Sequence, residues 1–394
     1  MAGMRPMDKR APLWNRSLRM TTSHEAALGR LARKDRLRRL APRAGLDFTS
    51  NDYLGLAESD GLREAAVAAL ARGVPLGAGG SRLLRGNHPE HEALEAEAAA
   101  FFGAESALYF PTGFAANAAL LAALPRKGDL VVHDALIHAS VRDGLDPARM
   151  PVVGTPHNDV TAMEGAIRKW RAQGGSGQAW IAVETLYSMD GDRAPLADLV
   201  TLADATDAML LLDEAHATGV YGPQGRGLGA AYEGRANVIA LHTCGKALGV
   251  AGGLVTCPRV YKEFLVNRSR AFVYSTAPSP LLAAVVRQAL KFCAAADDAR
   301  ARLQGLVAHT GKLMARYQGW NASGSQIQPV ILGSDSRAVR FAEGLQAKGY
   351  DIRAIRPPTV PEGTARLRLA IATHIKESDL DAVFAHLAEE LAKA

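Results

Sequence analysis

Six short apolar runs, separated by segments of helical spacing, leave this chain few folds to choose from. They lie at 107–110, 130–133, 180–184, 209–213, 238–243 and 253–257. None alternates apolar with polar residues, so each strand must be covered on both faces. Helical patterns at 113–123, 159–172 and 196–206 supply the crossovers. The expected architecture is α/β, with a mostly parallel sheet between helices over about residues 61–280. After Ser279 the pattern changes. A long helix is expected from 280 to about 317, then strands at 328–332, 350–355 and 366–371. In the last helix, 377–392, Leu380, Val383, Phe384, Leu387 and Leu391 form one apolar stripe. Residues 281–394 thus read as a smaller α+β domain, and residues 1–60 as an arm that completes it.

That arm carries twelve Lys/Arg against three Asp/Glu up to residue 45, so of the net charge of +6 the remaining body holds about −3. A near-neutral body with a basic arm is not the pattern of a nucleic-acid binder. Residues 24–40 read as a basic helix, with Leu28, Leu31, Leu37 and Leu40 packed on the body, and Met20 offers a second start. Cys244, Cys257 and Cys293 are odd in number and form no CxxC pair, which points away from disulfides and from zinc. No apolar run reaches the ~18 residues of a membrane span, and the N-terminus lacks the apolar core of a secretory signal. A cytoplasmic protein is expected.

The chemistry sits at strand ends, where open α/β sheets bind ligands. Lys246 follows the strand 238–243 and precedes the glycine-rich stretch 249–253. A lysine there can be partly desolvated and made nucleophilic toward a carbonyl. Asp213 ends another strand, where a carboxylate is costly unless paired with a cation, and His216 lies three residues on. Thr112 and Gly113 open a helix directly after a strand, which offers free N–H groups to a phosphate. His133 and His138 flank a further strand end, and either ring could stack on a planar ligand. The lysine can hold an aldehyde, the aspartate a protonated pyridine nitrogen, the histidine a ring oxygen, and the helix start a phosphate. Together these are the requirements of pyridoxal 5'-phosphate (PLP). A metal fits less well, since no second histidine or cysteine stands at ligand spacing near Asp213.

With these residues in place, the chain resembles the α-oxoamine synthases, which are fold-type I PLP-dependent transferases. The likeness spans nearly all of residues 46–394. It is carried by Ser50-Asn51-Asp52-Tyr53-Leu54-Gly55-Leu56, Thr112-Gly113-Phe114-Ala115-Ala116-Asn117, His138-Ala139-Ser140, Ser188-Met189-Asp190-Gly191-Asp192, Asp213-Glu214-Ala215-His216 and Gly245-Lys246. The text around Arg356, Ala354-Ile355-Arg356-Pro357-Pro358-Thr359-Val360-Pro361, is most like the biotin-synthesis branch.

The resemblance implies that Lys246 holds the cofactor and moves protons at the substrate α-carbon, and that Asp213 pairs with the pyridinium nitrogen. It implies that His138 stacks on the ring, with His216 and Ser188 at the ring hydroxyl. Thr112, Gly113, Phe114 and Thr243 serve the phosphate and cofactor, and Thr276 reaches the phosphate of a neighbouring subunit in a homodimer. Arg356 clamps the amino-acid carboxylate, Asn51 lies near it, and Arg38 is a candidate for a far carboxylate.

The implied reaction is a decarboxylative condensation of L-alanine with a pimeloyl thioester, carried by coenzyme A or an acyl carrier protein. A sister activity would use glycine or serine with another acyl thioester. A regulatory module that merely kept the fold would not need Lys246, Asp213, His216 and Arg356 intact together. Glu214 after Asp213, Ala217 where glycine is usual, and Cys244 before Gly245 depart from the family pattern without removing a catalytic group.

Overall fold

The computed structural model describes residues 14–393. The first thirteen residues of the basic arm, and the side chain of Met20, lie outside the described residues. In chain order the elements begin with α1 (Trp14–Arg33), β1 (Leu46–Asp47), α2 (Asp60–Ala71), α3 (Pro89–Phe102), β2 (Ser106–Phe110), α4 (Gly113–Ala123), β3 (Leu130–Asp134) and α5 (Ala139–Gly144). Then come β4 (Val152–Thr155), α6 (Val160–Ala172), β5 (Ala179–Glu184), α7 (Leu196–Ala205), β6 (Met209–Asp213), β7 (Val238–Thr243) and β8 (Gly253–Cys257). The chain continues through α8 (Arg259–Arg268), α9 (Arg270–Val273), α10 (Pro280–Ala294), α11 (Asp297–Met314), β9 (Ile327–Gly333) and α12 (Asp335–Gln346). It closes with β10 (Tyr350–Asp351), β11 (Ala354–Ile355), β12 (Ala365–Ala370) and α13 (Glu377–Ala392). Among these described residues no helix is long and apolar enough to cross a membrane.

The chain groups into two compact units, one of residues 48–329 with 369–384, the other of 330–368 with 385–394 and the described part of 1–47. The larger unit is built on a seven-stranded sheet, counted among the described residues, in the order β2-β8-β7-β6-β5-β3-β4. Its strands run parallel from β7 through β4, while β8 is antiparallel to both β7 and β2. Successive strand residues enter opposite cores. Leu211 and Ala182 pack with Ala116, Ala119 and Leu120 of α4, whereas Leu210, Leu212 and Ile181 pack with Met163 of α6 and Leu199 of α7. Burial on both faces explains the unbroken Leu-Leu-Leu of β6. Each such leucine contributes roughly 1.5–3 kcal/mol on leaving water.

In the smaller unit β1 pairs parallel with β10, and β11 pairs antiparallel with β12. A sheet in the order β11-β12-β9 completes the strand pairing.

Four expectations need correction. The basic helix runs over Trp14–Arg33 rather than 24–40. Asp35 takes a left-handed φ of 54° and stops it, and Arg36 then pairs with Asp335 at 2.6 Å and with Glu362. Leu28, Leu31 and Leu40 do not pack on the body; they are exposed. The long helix expected from 280 is two helices, with α11 opened by Asp297 and Asp298, whose charge suits a helix start. Arg300, buried, donates to the Cys293 carbonyl at 2.7 Å and to Asp297 at 2.5 Å, closing the end of α10. The expected strand at 350–355 divides between two sheets, and β4 was not foreseen. It is an edge strand preceded by Pro151 and containing Gly154, both of which weaken a strand pattern.

Candidate active site

The site lies at the carboxyl ends of β3, β5, β6 and β7 in the larger unit. β7 and β8 are adjacent antiparallel strands with Thr243 opposite Gly253, and the loop between them carries Lys246. Its ends are tied by Cys244 N–H to the Gly252 carbonyl at 2.9 Å and Val250 N–H to the Cys244 carbonyl at 2.8 Å. Gly249 has a φ of 69°, and a Cβ there would stand 2.4 Å from the Ala57 nitrogen. Only glycine lets the loop lie this close to its neighbour.

The Lys246 Nζ is 2.9 Å from His216 Nε2. On the other side of the ring, His216 Nδ1 is 2.7 Å from the Tyr53 hydroxyl, which donates to Asn51 Oδ1 at 3.0 Å. Since Tyr53 has one proton and gives it to Asn51, Nδ1 of His216 is the donor to Tyr53. A neutral ring then presents Nε2 as an acceptor to the lysine amine. Asn51 therefore reaches Lys246 through two side chains.

Asp213 shares the sheet face of Leu211, toward α4. It is buried and accepts from Asn117 Nδ2 at 2.6 Å and from the Ala215 N–H at 2.9 Å. Asn117 also donates to Ser140 Oγ at 3.0 Å, and Ser140 N–H donates to His138 Nδ1 at 3.2 Å. Burial first, and then the positive charge of Lys246, hold the His138 pKa below its usual value despite Asp213. A neutral ring follows, and Phe114 meets it edge-on at 6.3 Å between centroids. His133 has no part here, because its ring lies against Gly154 on the edge strand.

Thr112 caps α4 by accepting from the Ala115 N–H at 3.0 Å. Gly113, at the helix start, fits against Thr243, whose Oγ1 would lie 3.1 Å from a Cβ. A Cβ on Gly253 would stand 2.9 Å from the Gly113 backbone. The two glycines bring β8, Thr243 and the amino end of α4 into one cradle of N–H and hydroxyl groups, suited to a phosphate. Thr276 is exposed, in a segment tied to the glycine loop by Ala277 N–H to the Gly80 carbonyl at 2.9 Å.

Ser188 opens the turn after β5, and its N–H donates to Glu184 Oε2 at 3.0 Å. The far side of this turn is held by His157. Its Nδ1 is 2.9 Å from Asp134 and its Nε2 is 2.7 Å from Asp192. Asn158 adds a bond to Asp192 at 2.9 Å. Burial alone would lower the His157 pKa, but the hydrogen bonds and charges of Asp134 and Asp192 outweigh it and push the value up to about 10. A group whose folded pKa is raised stabilises fully below its unfolded value, near 6.5, and loses that contribution as pH rises toward 10. Thermal unfolding of the wild type and His157→Gln is therefore expected to differ by roughly a few degrees near pH 6, with the gap closing by pH 10. A gap that stays constant with pH would show that the imidazolium contributes nothing.

Arg38 and Arg356 belong to the smaller unit. There Arg38 Nη2 donates to Thr359 Oγ1 at 2.9 Å, and Arg356 donates to the Asp35 carbonyl. Burial and then the nearby charge of Arg38 lower the Arg356 pKa from its usual value. The buried Nε of Arg356 has no partner among the described residues. Two guanidiniums in one another's field suit an anion.

The structure thus gathers Lys246, His216, Asn51, Asp213, His138, Phe114, Gly113 and Thr243 into one unit. Sequence reasoning assigned no role to Tyr53, Asn117, Ser140, Glu184 or His157. Tyr53, Asn117, Ser140 and His157 each act through a partner distant in the chain, while Glu184 holds the nearby Ser188 N–H. Tyr53, Asn117, Ser140 and Glu184 sit in or beside stretches already singled out.

The family model for aminotransferase class I and II matches residues 43–387. An 8-amino-7-oxononanoate synthase of Chromobacterium violaceum is 41% identical over 374 residues, covering 90% of this chain and 95% of that protein. Among solved structures, an 8-amino-7-oxononanoate synthase of Francisella tularensis is 25% identical with a TM-score of 0.76, covering 89% of this chain and 98% of the other. A structure of SPT with PLP is 26% identical with a TM-score of 0.81, covering 88% of this chain and 87% of the other.

Proposed function

The chain belongs to the aminotransferase class I and II family, and on that premise we propose that it is a PLP-dependent 8-amino-7-oxononanoate synthase. It condenses L-alanine with a pimeloyl thioester, carried by coenzyme A or an acyl carrier protein, and releases carbon dioxide and the thiol. The observation that carries this reading is the 41% identity to a synthase of that name over nine-tenths of the chain. The fold-type I architecture agrees with it.

The residues fit the cofactor. At Gly113 and Gly253 the start of α4, β8 and Thr243 approach so closely that a single Cβ would not fit without a shift, which keeps the helix start against the Thr243 hydroxyl. A part-buried amine stands at Lys246 with an acceptor beside it, and a buried carboxylate at Asp213 accepts from two neutral donors, Asn117 Nδ2 and the Ala215 N–H. When bound, PLP accepts the electrons released at the amino-acid α-carbon.

This chain's side chains supply the rest. Lys246 anchors the aldehyde, then takes the α-proton and returns it, with His216 Nε2 ready to share that proton. Tyr53 and Asn51 keep His216 in the required tautomer. Asp213, oriented by Asn117, stabilises positive charge on the ring nitrogen, and neutral His138 covers the ring. Thr112, Gly113, Phe114 and Thr243 hold the phosphate end, and Ser188 the ring hydroxyl. Arg356 takes the alanine carboxylate, and Arg38 takes the far carboxylate of the acyl chain. The working form is a homodimer in which Thr276 reaches the neighbouring phosphate.

The likeness to a serine palmitoyltransferase of Sphingomonas wittichii, 27% identical with a TM-score of 0.82, favours a second reading, in which serine, or glycine in a further sister activity, replaces alanine. Visible absorption of the PLP-loaded protein, titrated with L-alanine, glycine and L-serine, separates the two. Alanine is expected to shift the band at the lowest concentration. A stronger response to serine or glycine moves the protein to a sister activity, and absence of any band refutes the role of Lys246.

A further inference from the structure

One carboxyl group of the site has no role in the reaction as derived above. Glu184 is the last residue of β5, and in the parallel pairing with β6 it stands opposite Asp213. Paired residues on neighbouring strands share a sheet face. Ala182, two residues earlier on β5, packs in the α4 core, so Glu184 points with Asp213 toward α4, Asn117 and His138. It is 2% exposed. One oxygen, Oε2, accepts from the Ser188 N–H. The other, Oε1, is buried without a partner among the described residues. An ionised carboxylate so placed would be stripped of water, half unsatisfied, and next to a second carboxylate.

We propose that Glu184 is a neutral acid of the active site: its carboxyl keeps a proton on Oε1, leaves Asp213 as the single anion facing the cofactor ring, and positions Ser188 through Oε2. Two carboxyls on adjacent strand ends thereby take different charge states, as pairs of acids do when their surroundings separate them. Asp213 accepts from two donors, Asn117 and Ala215. Glu184 has the Ser188 turn alone. The titratable groups that face Glu184 are Asp213 from β6, Lys246 from the loop after β7, and Tyr187 in its own turn. Farther round the site stand His138 and His216. Burial first, and then the charge of Asp213, push the Glu184 pKa up to about 8, against the opposing pull of Lys246 and Ser188. The group is thus protonated at neutral pH and ionises on the alkaline side.

The proposal rests on the reading of Lys246 as the cofactor's anchor, and its test reads Glu184 with and without PLP. Infrared difference spectra of the full-length protein without cofactor are compared for the wild type and Glu184→Gln. At pH 6.5 the wild type is expected to show a protonated-carboxyl stretch that Glu184→Gln lacks, and this signal should fade with a midpoint near 8. In Asp213→Asn, which removes the neighbouring anion, the midpoint is expected to fall by about one pH unit or more. With PLP bound, the visible band should show a step in the same alkaline range in the wild type and none in Glu184→Gln.

The same infrared spectrum in the wild type and Glu184→Gln at pH 6.5 would overturn the proposal. If Glu184→Gln does not fold, an unmoved midpoint in Asp213→Asn overturns it instead. A wild type that gives no visible band with PLP refutes the anchor at Lys246, while the infrared result still decides the state of Glu184.

Discussion

Lys246→Ala is expected to fold, to bind PLP without forming the covalent link, and to lose turnover by at least about 10³-fold. Positioned proton transfer alone is worth roughly 10²–10⁴ in rate, and the lysine also supplies the nucleophile that meets the aldehyde. The visible band of the linked cofactor should be absent, and reduction with borohydride should leave the chain unlabelled. Folding should survive, because Lys246 lies in a loop whose ends are closed by backbone bonds of Cys244 and Val250 and not by its own side chain. His216 Nε2 can accept from water once the lysine is gone. Turnover within tenfold of the wild type would remove Lys246 from the chemistry.

Asp213→Asn should be the next most damaging change, with kcat lower by on the order of 10²–10³, a magnitude typical of removing one preorganised electrostatic partner. The substitution keeps the shape of the side chain, and its carbonyl oxygen can still accept from either Asn117 Nδ2 or the Ala215 N–H. What it loses is the negative charge that favours a proton on the ring nitrogen. Stability should hold or rise slightly, since a buried carboxylate is replaced by a neutral amide. Loss of activity without loss of melting temperature is therefore the expected pairing. A protein as active as the wild type would mean that the ring nitrogen does not need Asp213.

Much of this was legible in the sequence because the sheet is buried on both faces. Strands such as β6 and β7 read as uninterrupted apolar runs, and a charged residue at the end of such a run, Asp213, stands out against it. Lys246 and His216 follow from strand ends in the same way. What stayed hidden depends on pairs far apart in the chain. Asn117 closes the motif that begins at Thr112 but has no assignable role until Asp213 lies 2.6 Å away. His157 reads as a loop histidine until Asp134 and Asp192 close on both its nitrogens. The end of α1 is set by Asp35 and by the pairing of Arg36 with Asp335, which no local periodicity encodes. The break between α10 and α11 had a local signal in Asp297-Asp298, which outweighs the continuing apolar spacing.

The loop that carries Lys246 leaves the sheet at Thr243 and returns at Gly253, and these two residues are paired. It is in effect a closed ring whose circumference is set by residues 244–252. An insertion or deletion within the ring moves the lysine, whereas changes of length elsewhere reach it only through that pair, the close approach of Gly249 to Ala57 and the contact with His216. Substrate preference can therefore drift, through replacement of surrounding segments, while the amine stays where it is. This separates what an ancestor of such a chain had to preserve from what it was free to vary.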